Sequence, residues 1–197
     1  MYKIGITGGI GCGKSNIVNA FAALGAPIYK ADDEAKRLNE ESETIRSFLT
    51  SLLGNEVYLP DGHLNKPYMA SRIFSDTTLL QQVNHTIHAE VRKDFYSWTE
   101  KQCTNGAKYV ICEAALMVQS NMHKLMDKLI VANLDTESRI QRTIIRDNSS
   151  REQVLARLSK QLPQEELIKY ADVVLSTDDR TPILDTILSI HSSLISK

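Results

Sequence analysis

The run Gly8-Gly9-Ile10-Gly11-Cys12-Gly13-Lys14-Ser15, close to the N-terminus, constrains this chain more than any other stretch. It fits the phosphate-binding pattern G-x-x-x-x-G-K-[ST], with Gly8, Gly13, Lys14 and Ser15 in the fixed places. The context agrees with the pattern. Tyr2-Lys3-Ile4-Gly5-Ile6-Thr7 reads as a short strand, and Asn16 to Leu24 carries Ile17, Val18, Phe21, Ala22 and Leu24 at helical spacing. A strand, a glycine-rich loop and a helix in that order distinguish a working loop from a chance match.

Each residue type has a physical reason. Glycines let the backbone curl so that successive N–H groups converge on a phosphate chain. The helix opening at Lys14 adds the positive end of its dipole at the same place. The nucleotide-binding set is therefore expected to be Gly11, Cys12, Gly13, Lys14, Ser15 and Asn16. Lys14 is expected to bridge the β- and γ-phosphates of a nucleoside triphosphate, and the Ser15 hydroxyl to join the shell of a Mg²⁺ ion.

Bulk properties exclude several classes. Lys plus Arg (23) nearly balance Asp plus Glu (24), so no general basic field draws nucleic acid to the surface. No apolar run reaches the length of a membrane span, and with strand and loop at the N-terminus no targeting segment is expected. The three cysteines, Cys12, Cys103 and Cys112, lack metal-ligand spacing. Within the loop, Cys12 reads as a filler position, with a thiol tuned by the helix N-terminus as the alternative. A cytoplasmic protein without membrane or nucleic-acid partners is expected, as a monomer or weak oligomer.

Along the chain, Ile28-Tyr29 starts a second strand that runs into Lys30-Ala31-Asp32-Asp33-Glu34. Asp32 reads equally as a helix cap and as a functional carboxylate at the C-terminal end of a strand. Residues 34–104 are mainly helical, with a Pro60-Asp61-Gly62 turn and a long amphipathic helix carrying Leu79, Leu80, Val83, Ile87, Val91, Phe95 and Trp98. His85, His88 and Arg92 share one face of that helix, a pattern commoner on solvated surfaces than in ligand sets. Lys108 to Glu113 is an apolar strand ending in a carboxylate, the pattern in which an acid orients Mg²⁺ or its water. After a further strand at 128–134 comes the most basic segment, with Arg139, Arg142 and Arg146 toward one side of a helix. An arginine-bearing lid at about 138–160 and a solvated basic face are both open readings; phosphoryl transfer favours the lid. The strand Ala171 to Leu175 and a closing amphipathic helix complete an alternation that implies a parallel sheet covered on both faces.

Taken together, these segments resemble the dephospho-coenzyme A kinase family over the whole chain. The resemblance rests on Ile6 to Ser15, on Ala31-Asp32 as the second half of an Asp-Ala-Asp signature, and on Asp61-Gly62 through Ile73-Phe74. It extends to Ile87 and the residues around His85, to Gln141-Arg142 through Arg146-Asp147, and to Ala171-Asp172-Val173-Val174. Lys30, Thr86, Ala115 to Gln119, and Thr177 depart from the family's pattern. The resemblance implies a three-layer α/β/α P-loop fold, with residues 1–33 and 105–197 as nucleotide-binding core and 34–104 as an inserted substrate lobe. It implies ATP-dependent phosphorylation of the ribose 3′-hydroxyl of dephospho-coenzyme A. Asp32 would be the base, Lys14 and Arg142 would stabilise the moving charge, Arg146 would support the nucleotide, and Ser15 with Glu113 would hold Mg²⁺.

Two other readings share part of this pattern. Another small-molecule or nucleotide kinase of the same loop class would differ mainly in the lobe. A nucleotide-dependent switch is disfavoured because the chain has no guanine-reading Asn-Lys-x-Asp.

Overall fold

A computed structural model describes residues 1–74, 76–178 and 180–196. Five strands form one sheet: β1 (Tyr2–Thr7), β2 (Ile28–Lys30), β3 (Tyr109–Glu113), β4 (Lys128–Asn133) and β5 (Val173–Ser176). Their order is β2-β3-β1-β4-β5, and every pairing is parallel. Parallel neighbours need long crossovers, which here are helices, so both faces of the sheet are covered and its central strands read as apolar runs.

The chain divides into two compact units, 1–30 with 99–197, and 31–98. In the first, α1 (Lys14–Ala23) and α9 (Leu184–Ile195) lie on one sheet face. Ile17, Val18 and Phe21 of α1 meet Ile4, Ile6, Ile111 and Ile130 of the strands, with Ile187 and Leu194 of α9. Phe21 packs edge-on to Tyr109 at 6.2 Å between ring centroids, and the Tyr109 hydroxyl lies 2.7 Å from His191 Nδ1. Two aspartates fix where strands begin. Asp127 Oδ2 accepts from the Lys3 N–H (2.7 Å), and Asp172 Oδ2 from the Leu129 N–H (2.7 Å), so each carboxylate extends the ladder by one bond.

α6 (Thr136–Asp147) and α7 (Arg151–Leu158) pack on each other within this unit, followed by α8 (Gln164–Ile168). The helix that opens at Arg151 stops at Leu158, and the chain turns through Ser159–Gln161 before Pro163. Proline disfavours helical geometry in the residue before it, so the helix has to end first.

The second unit contains α2 (Ala31–Glu41), α3 (Glu43–Leu53), α4 (Lys66–Ile73) and most of α5 (Thr77–Thr104). Ile45, Leu49, Leu53, Val57, Val83, Val91 and Phe95 are buried in it. Arg37 joins α2 to α5 through Asp94 (2.8 Å) while also holding Glu34 and Glu41. The Pro-Asp-Gly turn forms as expected, with Gly62 at φ 89° and Tyr58 bridging Leu64. The unit boundary falls inside α5, because the helix continues beyond Trp98 to bring the chain to β3.

Ile111 is fully buried in β3, between β1 and β2. Ile111→Ala is expected to cost roughly 2–5 kcal/mol through lost burial and a residual cavity, read from urea unfolding of the purified protein.

Candidate active site

β1 ends at Thr7, and the chain then wraps into the phosphate loop before α1 begins. Gly13 caps α1 in the left-handed region (φ 72°, ψ 22°), where a Cβ would be strained. Ser42, Asn65, Asp135 and Ser150 cap α3, α4, α6 and α7 with side-chain oxygens, whereas α1 has no side-chain cap. Its first N–H groups are thus presented to whatever anion sits before the helix.

The loop's shape is set from outside. The Ile10 N–H donates to Gln161 Oε1 (2.9 Å), and the Ile10 C=O accepts from Arg139 Nε (3.1 Å). The Cys12 C=O accepts from Thr177 Oγ1 (2.7 Å), which also reaches the Asn133 C=O (3.2 Å). Across a trans peptide the C=O and the following N–H point in opposite directions. Holding the Ile10 and Cys12 carbonyls outward therefore turns the Gly11 and Gly13 N–H groups to the other side. In the same way, tying the Ile10 N–H to Gln161 turns the Gly9 C=O back toward Lys14, whose ammonium lies 2.9 Å from the Gly8 oxygen and 3.5 Å from that of Gly9.

The glycines permit this clamp. At Gly11, φ is 78° and a Cβ would run into the Arg139 carbonyl, with Thr143 Oγ1 only 2.7 Å away. At Gly9 a Cβ would overlap the Arg139 guanidinium.

Of the expected site residues, Lys14, the loop glycines, Cys12 and Arg142 come together. Arg142 Nη1 donates to the Thr177 C=O (3.0 Å) and lies 3.7 Å from where a Cβ on Gly13 would be. That brings one arginine of the helical arm to the start of α1. Ser15 and Asn16 are exposed on the first turn of α1. Glu113 is half-buried at the end of β3, in register with Ile6 and Lys30. Cys12 is buried with its thiol 3.7 Å from Gln164 Oε1, and burial pushes that thiol up, against the lowering by Arg139 and Lys14. This is the environment of a filler residue, not of a reactive thiolate.

Arg146 takes a different direction. It is exposed and paired with Asp147 (2.7 Å), which Arg157 also holds (2.6 Å). The two guanidiniums keep the Asp147 carboxyl well below the usual range. Arg151 pairs with Glu137 (2.7 Å) and, with Gln141, lowers that carboxyl to about 2. These pairs tie α6 to α7. Asp32 belongs to the other unit; α2 starts at Ala31, so Asp32 lies in its first turn, where a carboxylate favours the helix dipole, and not at the cap.

Sequence reasoning passed over Gln161, Gln164, Thr143 and Thr177 as site residues. Gln164 Nε2 donates to the Ala132 C=O (3.0 Å) beneath the loop, and Thr143 Oγ1 to the Arg139 C=O (2.8 Å). Isolated glutamines and threonines in helical or turn segments carry no motif, so only their contacts reveal them.

A parallel five-stranded sheet with this loop after its central strand, and an arginine-bearing helical arm beside it, defines a P-loop nucleotide-binding protein. Comparison with known proteins narrows the class. The dephospho-CoA kinase family profile matches residues 2–182, and the chain belongs to that family. It is 34% identical to the dephospho-CoA kinase of Bacteroides fragilis over 196 residues, covering 99% of this chain and 94% of that one. With the Porphyromonas gingivalis dephospho-CoA kinase it shares 38% identity over 169 residues, covering 86% and 82%. The solved dephospho-CoA kinase of Campylobacter jejuni has the same fold, with a TM-score of 0.69 at 20% identity over 98% of this chain and 96% of that one.

Two predictions follow from this geometry. Gly11→Ala should abolish measurable ATP binding by calorimetry, because the new methyl displaces the Arg139 backbone or distorts the loop. Glu137, lowered from 4.5 to about 2, contributes stability that is present above about 4.5 and lost as the pH falls toward 2. Arg151→Ala should return its NMR titration midpoint toward 4.5.

Proposed function

We propose that this ATP-dependent kinase transfers the γ-phosphoryl group of ATP to the ribose 3′-hydroxyl of dephospho-CoA, giving CoA. Family membership supports the reaction, and the position of Arg142 beside Gly13 at the uncapped start of α1 is the observation that carries the mechanism. Phosphoryl transfer needs alignment, charge neutralisation and a proton acceptor more than covalent chemistry from the protein.

The division of labour follows from the residues. N–H groups of the loop and of the α1 N-terminus hold the phosphate chain, with Gly11 and Gly13 turned to it by their neighbours' outward carbonyls. Lys14 places an ammonium at the β- and γ-phosphates, while its bonds to the Gly8 and Gly9 oxygens keep the amine in position. Arg142 neutralises charge on the transferred group. Arg146 supports the nucleotide from the same arm once it exchanges its Asp147 partner.

Asp32 accepts the proton of the ribose hydroxyl as the oxygen attacks. It lies two residues beyond β2, in the first turn of α2, and a carboxylate close to the C-terminal end of a parallel strand suits that task.

Ser15 and Glu113 offer hard oxygen donors, the chemistry that suits Mg²⁺. These two residues would hold the ion, whose charge would offset that of the triphosphate. Among the described residues no group of three or more His, Cys, Asp or Glu side chains forms a separate metal site. No described helix is long and apolar enough to cross a membrane.

The test is an ADP-release assay with ATP, Mg²⁺ and, in turn, dephospho-CoA, adenosine, AMP, shikimate and pantothenate. Turnover with dephospho-CoA alone is expected; turnover with a different acceptor would withdraw the substrate. In the same assay Asp32→Asn should lose roughly 10²–10⁴-fold in kcat while ATP affinity stays near wild type. Near-normal turnover of that variant would remove Asp32 as the base.

A further inference from the structure

Arg139 is the one charged side chain buried among the described residues, at 4% exposure. The other arm arginines meet different surroundings. Arg146 and Arg157 share Asp147, and Arg151 holds Glu137. Among the described residues no carboxylate pairs with Arg139. Its side chain bonds a backbone carbonyl, that of Ile10. Its guanidinium lies against Gly9, where an added Cβ would overlap it unless the side chain moved.

A buried cation without a counter-ion is costly. Carbonyl dipoles offset part of the lost hydration, and the usual remedies are an opposite charge or loss of the proton. Arginine does not lose its proton in proteins, so the charge stays. Arg139 also lowers the Cys12 thiol, as Lys14 does, so both cations act on the same loop. Two cations are thus gathered around Gly8-Gly9-Ile10, and among the described residues no carboxylate pairs with the buried one.

We propose that Arg139 is a positioning residue for the phosphate loop: it holds the Ile10 carbonyl outward, turns the Gly11 N–H toward the phosphates, and leaves its buried charge to be balanced by the triphosphate. The inference rests on the ATP reading above and extends it to a residue outside the catalytic set. Two consequences separate it from a packing role. The charge is a burden on the free protein and an asset to the nucleotide complex. Its effect also grows with the number of phosphates, because it acts on them and not on the base or sugar.

The geometry further explains why the residue is held so firmly. The Thr143 hydroxyl bonds the Arg139 carbonyl, and that carbonyl faces Gly11. One residue therefore meets the loop at Gly9, Ile10 and Gly11, with its side chain on the first two and its backbone on the third.

Three variants divide its properties. Arg139→Lys keeps the charge, Arg139→Gln keeps a donor without charge, and Arg139→Met keeps neither. ATP and AMP affinities are measured by calorimetry at two salt concentrations, with melting temperatures recorded with and without ATP. For Arg139→Met the expected result is about tenfold weaker ATP binding, a smaller ATP-to-AMP affinity ratio and a shallower salt dependence. The melting temperature of its free form should equal or exceed that of the wild type, while the rise on adding ATP shrinks. Arg139→Gln should fall between the Met variant and the wild type, and Arg139→Lys should recover most of the affinity. In steady-state assays the KM for ATP should rise more than kcat falls.

ATP affinity within twofold of wild type in both the Met and Gln variants would overturn the proposal. So would an ATP-to-AMP ratio unchanged in a variant whose free form melts far below wild type, since that marks a packing residue. If the Met variant does not fold, the Gln and Lys pair decides between charge and hydrogen bond by the same ratio. Failure of the wild-type protein itself to bind ATP would instead sink the functional reading, so the two failures are distinguishable.

Discussion

The site depends on the outward tethering of three backbone groups: the Ile10 N–H, the Ile10 C=O and the Cys12 C=O. Peptide planarity converts each tether into an orientation on the opposite side of the loop. Without the tethers, a glycine-rich segment would sample many conformations, and its N–H groups would converge only at an entropic cost when a ligand arrives. With them, that cost is met when the protein folds. Preorganised dipoles of this kind are what electrostatic catalysis requires.

The tethers come from far along the chain. Arg139 is supplied by α6, Gln161 by the turn after α7, and Thr177 by the residue after β5. The parallel sheet makes this possible, because it brings the C-terminal ends of β1, β4 and β5 side by side. The loop follows β1, α6 follows β4 and Thr177 follows β5, so all three segments leave the sheet at the same edge. This is the edge where open α/β folds bind ligands. The arm carrying Arg142 is thereby joined to the loop at both its beginning and its end.

Much of the fold was legible in the sequence for clear reasons. β1, β3 and β4 are apolar runs bounded by turn residues, and α1 and α9 carry apolar stripes at helical spacing. The phosphate loop is a local motif whose residue types follow from the conformation they adopt. Less was legible in the basic segment. Arg139, Arg142 and Arg146 look alike in sequence, but one is buried under the loop, one reaches Thr177, and one pairs with Asp147 at the surface. Helical spacing assigns a face to each residue and says nothing of what that face meets.

Thr177 shows the same limit. In the sequence it reads only as a departure from the pattern the resemblance implies, yet in the structure its hydroxyl bridges Cys12 and Asn133 and its carbonyl receives Arg142. By itself the sequence determined the strands, the loop and its phosphate chemistry, since each follows from local conformational preference and short-range periodicity. Tertiary structure decided which cations reach the loop, which carbonyls are drawn away from it, and which arginine is buried beneath it. Those outcomes depend on contacts between residues more than a hundred positions apart, for which local pattern has no signal.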